Sequence, residues 1–114
     1  CAHFVGLNYE HVIRDFYFQC GAGTKIASIR SNGDIVACLD IEDYPELIQG
    51  NLHKDKFLDV WENGFLVFRQ DRSEQSAVCK TCVNKNNCMG DAFHTWDFYK
   101  KEPMYCISKI LGDE

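Results

Sequence analysis

The sequence predicts an α+β fold: a small β-hairpin followed by short helices and a cysteine-rich, metal-binding C-terminal region. Three observations carry this expectation. Two β-rich runs, residues 25–30 and 35–39, flank Ser31-Asn32-Gly33-Asp34, and Asn-Gly between such runs is a strong hairpin signal. Phe57, Leu58 and Trp61 then fall on one face at helical spacing. Finally, Cys79, Cys82 and Cys88 form a C-x2-C-x5-C run, with Cys106 further along.

In chain order, residues 1–19 mix aromatic and charged side chains without a clean period and are left unassigned as a lead-in. Residues 20–39 hold the hairpin, with Cys20 before it and Cys38 near the end of its second strand. Pro45, Gly50 and Asn51 mark residues 40–55 as a surface loop. A helical segment is expected over 55–71, with Asp55 as its cap, Asn63-Gly64 as a stop or break, and a further turn through Phe65, Phe68 and Arg69. Its Trp and Phe stripe reads as core packing. Residues 79–106 form the metal-binding region, in which 91–99 is expected as a short helix before Pro103 turns the chain toward Cys106.

A chain of 114 residues with 46 % apolar content reads as one domain, 1–114, with a modest core to which metal binding would add folding energy. The formal charge of −5 and the absence of a basic run longer than Lys100-Lys101 argue against nucleic-acid binding. No apolar stretch approaches the about 20 residues of a membrane-spanning helix. Free cysteines at this density point to a reducing cytoplasm. The first residue is Cys1 rather than Met, which suggests a part of a longer polypeptide.

Cys79 and Cys82 lie on one tight turn, so both sulfurs can enter one small volume, and Cys88 and Cys106 must fold back to close the shell. Four such thiolates suit an iron–sulfur cluster or a structural zinc ion. A redox dithiol would need a thioredoxin-like strand-to-helix turn, whereas residues 71–77 are polar and charged. A disulfide framework fits poorly with seven cysteines and no signal peptide in view. His3, His11 and His53 share no ligand spacing with the cysteines and read as surface groups. His94 reads as a packing or hydrogen-bonding neighbour of the site. Asp40, Glu42 and Asp43 form an acidic cluster, expected as a solvated loop that could face a basic peptide.

Taken in order, Cys20-x12-Gly33-x4-Cys38, Cys79-x2-Cys82-x5-Cys88 and Cys106 resemble the SPASM domain, the C-terminal extension of many radical S-adenosylmethionine enzymes. The resemblance spans 20–106 and includes Ile48-Gln49-Gly50-Asn51-Leu52 and Phe57-Leu58-Asp59-Val60-Trp61. It implies a hairpin followed by helices, with cysteines holding up to two auxiliary 4Fe–4S clusters. Cys79, Cys82, Cys88 and Cys106 match all four ligands of the distal cluster. Cys20 and Cys38 match two cofactor-binding ligands of the first cluster. A third is missing, because Ala92 stands where the family has cysteine, and Ile26 occupies the neighbourhood of another. Cys1, Asp91 or His94 are the candidate replacements; otherwise Cys20 and Cys38 are structural thiols or a disulfide.

The resemblance further implies a non-catalytic part of a radical S-adenosylmethionine oxidoreductase or maturase acting on a peptide or protein. The C-x3-C-x2-C core motif is absent from these residues, so S-adenosylmethionine would enter only through a core domain of the same polypeptide. The base found in sulfatase-maturing relatives directly after the hairpin cysteine is here Leu39, with Asp40 one step on. The alternative is a structural, four-cysteine zinc module that serves interaction rather than catalysis.

Overall fold

The computed structural model describes residues 2–112. Its elements run α1 (Leu7–Ile13), β1 (Ser28–Ile29), β2 (Asp34–Val36), β3 (Gly50–Asn51), α2 (Phe57–Asn63), α3 (Ala77–Lys80), α4 (Lys85–Cys88), β4 (Trp96–Asp97), β5 (Glu102–Pro103) and α5 (Ile107–Ile110). Contacts divide them into two units: Gly21–Gln70, and the chain up to Cys20 together with the chain from Asp71 onward.

In the Gly21–Gln70 unit the expected hairpin is present, with β1 antiparallel to β2 in the register Ser28↔Val36 and Ile29↔Ile35. Asn32 turns it by accepting the Asp34 N–H at 3.0 Å, and Gly33 supplies a φ of 93°. The following segment is more than the expected surface loop, because β3 adds a third antiparallel strand at Asp34↔Asn51 and Ile35↔Gly50. Gly50 and Asn51 have little strand propensity, so pattern reading missed them. Side-chain bonds hold them in place: Asn51 Nδ2 donates to Asp34 Oδ1 at 2.9 Å.

Asp55 does not cap α2 as expected. Its carboxylate instead accepts the Asn51 N–H at 2.9 Å, and Lys56 precedes the helix without a side-chain cap. Gly64 ends the helix, and a 3-10 turn follows over Leu66–Phe68. The aromatic stripe is core only in its later part, at Phe65 and Phe68, while Phe57 and Trp61 are half-buried. No residue of α2 is fully buried, and Leu58 is 67 % exposed. Phe57 stacks on Trp61 with centroids 6.4 Å apart, and Trp61 meets Phe65 edge-on at 5.4 Å. The core of this unit joins Phe65 and Phe68 to Ile35, Val36 and Leu47 from earlier in the chain.

In the other unit, the unassigned lead-in contains α1, organised by Glu10. This carboxylate is 1 % exposed and accepts N–H groups from Val5 at 3.2 Å and Phe18 at 2.7 Å, with Arg14 as its ion-pair partner. The helix expected over 91–99 is replaced by a 3-10 turn, Phe93–Thr95, and a hairpin in which β4 pairs with β5 at Trp96↔Pro103 and Asp97↔Glu102. Asp97 Oδ1 accepts from the N–H groups of Tyr99 and Lys100 at 3.0 Å each, an Asx-type turn that competes with helix. Among the described residues no helix is long and apolar enough to cross a membrane.

Gly23 makes the packing in the Gly21–Gln70 unit testable. Its φ is 75°, and an added Cβ would lie 2.5 Å from the Cβ of Phe68, an atom that cannot swing away. Gly23→Ala is expected to cost about 3 kcal/mol, combining left-handed strain with overpacking, and to lower the urea midpoint accordingly. An unchanged midpoint would show that Phe68 is not seated there.

Candidate metal centre

Ser76 starts the site. Its Oγ accepts from the N–H groups of Val78 at 3.2 Å and Cys79 at 3.3 Å, capping the single turn of α3 that presents Cys79. The Cys82 N–H donates to the Cys79 carbonyl at 3.0 Å, so the C-x2-C pair lies on one tight turn, as the spacing predicts. The polar stretch after Cys82 then winds into α4. Its Asn84 carbonyl accepts the Cys88 N–H at 2.8 Å and delivers the third cysteine.

Immediately after Cys88 the chain reverses through three left-handed residues, Met89, Gly90 and Asp91, with φ of 53°, 89° and 65°. The turn admits only glycine in the middle, since a Cβ there would be 3.1 Å from both Arg72 Nε and Trp96 Cζ3. Cys106 enters from the far side of the β4–β5 hairpin, as the residue preceding α5.

The fold thereby brings Cys79, Cys82, Cys88 and Cys106 onto the walls of one small hollow, each as a free, half-buried thiol. Each sulfur also has a hydrogen-bonding neighbour. Cys79 has Ser76, Cys82 has the Asn84 N–H at 3.4 Å, Cys88 has the Gly90 N–H, and Cys106 has the Ser108 hydroxyl at 3.3 Å. Sequence reasoning missed these partners. The signal was nonetheless present, because three of the four stand two residues after their cysteine, as Cys-x-Asn, Cys-x-Gly and Cys-x-Ser.

Burial changes the acidity of Cys79 and Cys88. Burial pushes the Cys88 thiol up to about 12, reinforced by the charges of Asp91 and Cys106, and the Gly90 N–H offsets only part of this. Cys79 is raised for the same leading reason, burial, with Cys106 and Cys82 adding to it. A bound cation would remove the penalty by neutralising the thiolates.

Arg72 is a further residue that sequence reasoning missed. It is 5 % exposed, its guanidinium lies 3.6 Å from the Phe93 ring centroid and 4.9 Å from that of Trp96, and one nitrogen donates to the Asp91 carbonyl. Its Nη1 is buried without a partner. Burial lowers the guanidinium to about 10, opposed by the charges of Cys20, Asp91, Cys88 and Cys79.

These features fit an iron–sulfur cluster. Four thiols lie around one hollow. A cluster several atoms across needs walls set with thiols and hydrogen-bond donors to its sulfurs.

Of the other candidates, Cys20 and Cys38 are both free thiols, which departs from the disulfide alternative, and they belong to different units. Cys1 lies outside the described residues. Asp91 is engaged elsewhere: Oδ1 accepts the Phe4 N–H and Oδ2 bonds His3 Nδ1, both at 2.7 Å. His3 is therefore not the surface group expected; it is half-buried, and its ring lies 5.0 Å from that of His94. His11 and His53 are exposed as expected.

Comparison with known proteins agrees with this chemistry. The family model of SPASM, an iron–sulfur cluster-binding domain, matches residues 20–83, which include Cys20, Cys38, Cys79 and Cys82. The AdoMet-dependent heme synthase of Methanosarcina barkeri (strain Fusaro / DSM 804) is 32 % identical over 94 residues, covering 77 % of this chain and 25 % of its own length. The chain thus spans about a quarter of the length of that relative. No solved structure matches the chain. With its family match across the hairpin, the helical segment and the first cysteine pair, the chain belongs to the SPASM family of iron–sulfur cluster-binding domains.

Proposed function

We propose that this chain is the auxiliary-cluster domain of a longer radical S-adenosylmethionine enzyme, with Cys79, Cys82, Cys88 and Cys106 as the ligands of one 4Fe–4S cluster. The observation that carries this reading is the placement of four free thiols around one hollow, each with its own hydrogen-bonding neighbour. When bound, a cluster of this kind supplies one-electron chemistry. The protein's part is to hold the four sulfurs, to present donors that tune their charge, and to shield them partly from water. The free thiols suit a reducing compartment, which supports a cytoplasmic location.

The core domain that would bind S-adenosylmethionine lies, on this reading, elsewhere in the same polypeptide. As to substrate, the peptide or protein expected from the resemblance stands beside a second reading, heme synthesis, which the identity to the Methanosarcina enzyme favours. The acidic cluster lends little weight to a basic peptide. Asp43 is 3.6 Å from the Arg30 guanidinium, and Glu42 accepts the Tyr44 hydroxyl at 2.8 Å, so both already have partners.

Anaerobic loading with ferrous iron and sulfide is expected to add about four irons and a broad visible absorption band at these cysteines, both lost in Cys82→Ala. Colourless protein that retains zinc at the same thiols would instead support the structural module.

The raised thiols predict how the metal-free protein behaves. Ligands must lose protons before binding, so loading should release protons and tighten as pH rises. Moving Cys88 from 9.0 to about 12 leaves about a thousandfold less thiolate at pH 8. Its alkylation by iodoacetamide, followed by mass spectrometry, should stay slow to beyond pH 10. Labelling of Cys88 as fast as a free thiol at pH 8 would show that it is not held in this environment.

A further inference from the structure

Arg72 has a charge that the apo fold does not account for. The stack on Phe93 and Trp96 and the bond to the Asp91 carbonyl explain its side-chain position. They do not explain its charge. Among the described residues no carboxylate forms an ion pair with it, and the Asp91 oxygens are taken by Phe4 and His3. The Nη1 donor is buried with nothing to accept from it. A buried cation without a partner ion is costly, and so is a buried donor without an acceptor.

The surroundings suggest what is missing. Arg72 packs against Gly90, within the reversal that follows Cys88, and the charges of Cys20, Asp91, Cys88 and Cys79 all favour its cationic form. The cysteines among them come from both sets that the sequence singles out. The other cations near the hollow are Lys85 and Lys109. Lys85 is bonded to Glu74 at 2.6 Å, and Lys109 is exposed, where water and salt weaken its field. A cluster held by four thiolates is an anion, and it becomes more negative on taking an electron.

We propose that Arg72 is the built-in counter-charge of the cluster site, a positioning residue whose buried guanidinium and spare Nη1 donor stabilise the thiolate-bound cluster and raise its reduction potential. This rests on the cluster reading above. A purely structural arginine would hold the aromatic rings together with or without a cluster, and neutralising it would leave the potential where it was.

The test uses the full-length protein that contains this chain, loaded anaerobically with ferrous iron and sulfide. The cluster signal is the paramagnetic resonance that Cys82→Ala removes. Arg72→Gln is expected to bind the same amount of iron, yet to shift the one-electron reduction equilibrium of that signal at least tenfold toward the oxidised form, which is about 59 mV. Arg72→Lys should recover part of the shift. Equal potentials in wild type and Arg72→Gln would overturn the proposal.

Thermal melting supplies a second readout. Arg72→Met, which removes the charge and keeps the stem, should melt no lower than wild type when metal-free and lower than wild type when loaded. Unfolding of Arg72→Met in both states would make Arg72 a structural residue and overturn the proposal. A wild-type protein that takes up no cluster at these cysteines would fail earlier, at the iron count, and would overturn the cluster reading together with what rests on it.

Discussion

Four thiols set around one half-buried hollow impose the constraint on which the site depends. As neutral groups they can share the space, but as thiolates they repel one another in surroundings that solvate charge poorly. Cys88, pushed up to about 12, shows how strongly the metal-free fold favours the neutral state. A bound cation would offset that repulsion as the protons leave. The local structure is consistent with that dependence. Only one-turn helices, α3 and α4, carry Cys79 and Cys88, with Cys82 on the turn between them, and such short helices are marginal without outside support.

The hydrogen bonds to sulfur follow from backbone geometry more than from tertiary packing. In Cys82–Asn84 and Cys88–Gly90 the donor is a main-chain N–H two residues after the cysteine, so ligand and donor arrive together wherever the turn forms. Ser76 and Ser108 place hydroxyls within hydrogen-bonding reach of Cys79 and Cys106, and Ser76 also caps the turn that carries Cys79. Donors to sulfur raise the potential of a cluster by stabilising negative charge there. Such a set can therefore tune electron transfer with residues that never ligate iron.

The hairpin and the C-x2-C turn were legible in the sequence because each is a local event. Asn32-Gly33 decides its own turn, and Cys79 and Cys82 are separated by two residues of one. The helix ending at Gly64 was legible for the same reason. Features that failed were decided at a distance. Gly50 looks like loop until Ile35 pairs with it, and Asp55 looks like a helix cap until the strand so formed brings the Asn51 N–H to its carboxylate. The stripe of Phe57, Leu58 and Trp61 has helical period but little burial, because period reports which face is apolar and not what covers it. Arg72 is an isolated charge in a polar segment, and only the return of Phe93 and Trp96 over it shows that it is buried.

The same reasoning bears on the incomplete first set, Cys20 and Cys38. Position 92, where the family resemblance calls for a further cysteine, holds an alanine that is 1 % exposed and part of the core. A small side chain there completes apolar packing and offers no electrons to iron. The adjacent Asp91 cannot easily step in, since both its oxygens are committed and releasing them would leave the Phe4 N–H unpaired inside the protein. What remains near that position is a cation. Arg72 acts on Cys20 as well as on Cys79 and Cys88, so the vicinity of the missing ligand carries positive charge in place of a donor to metal.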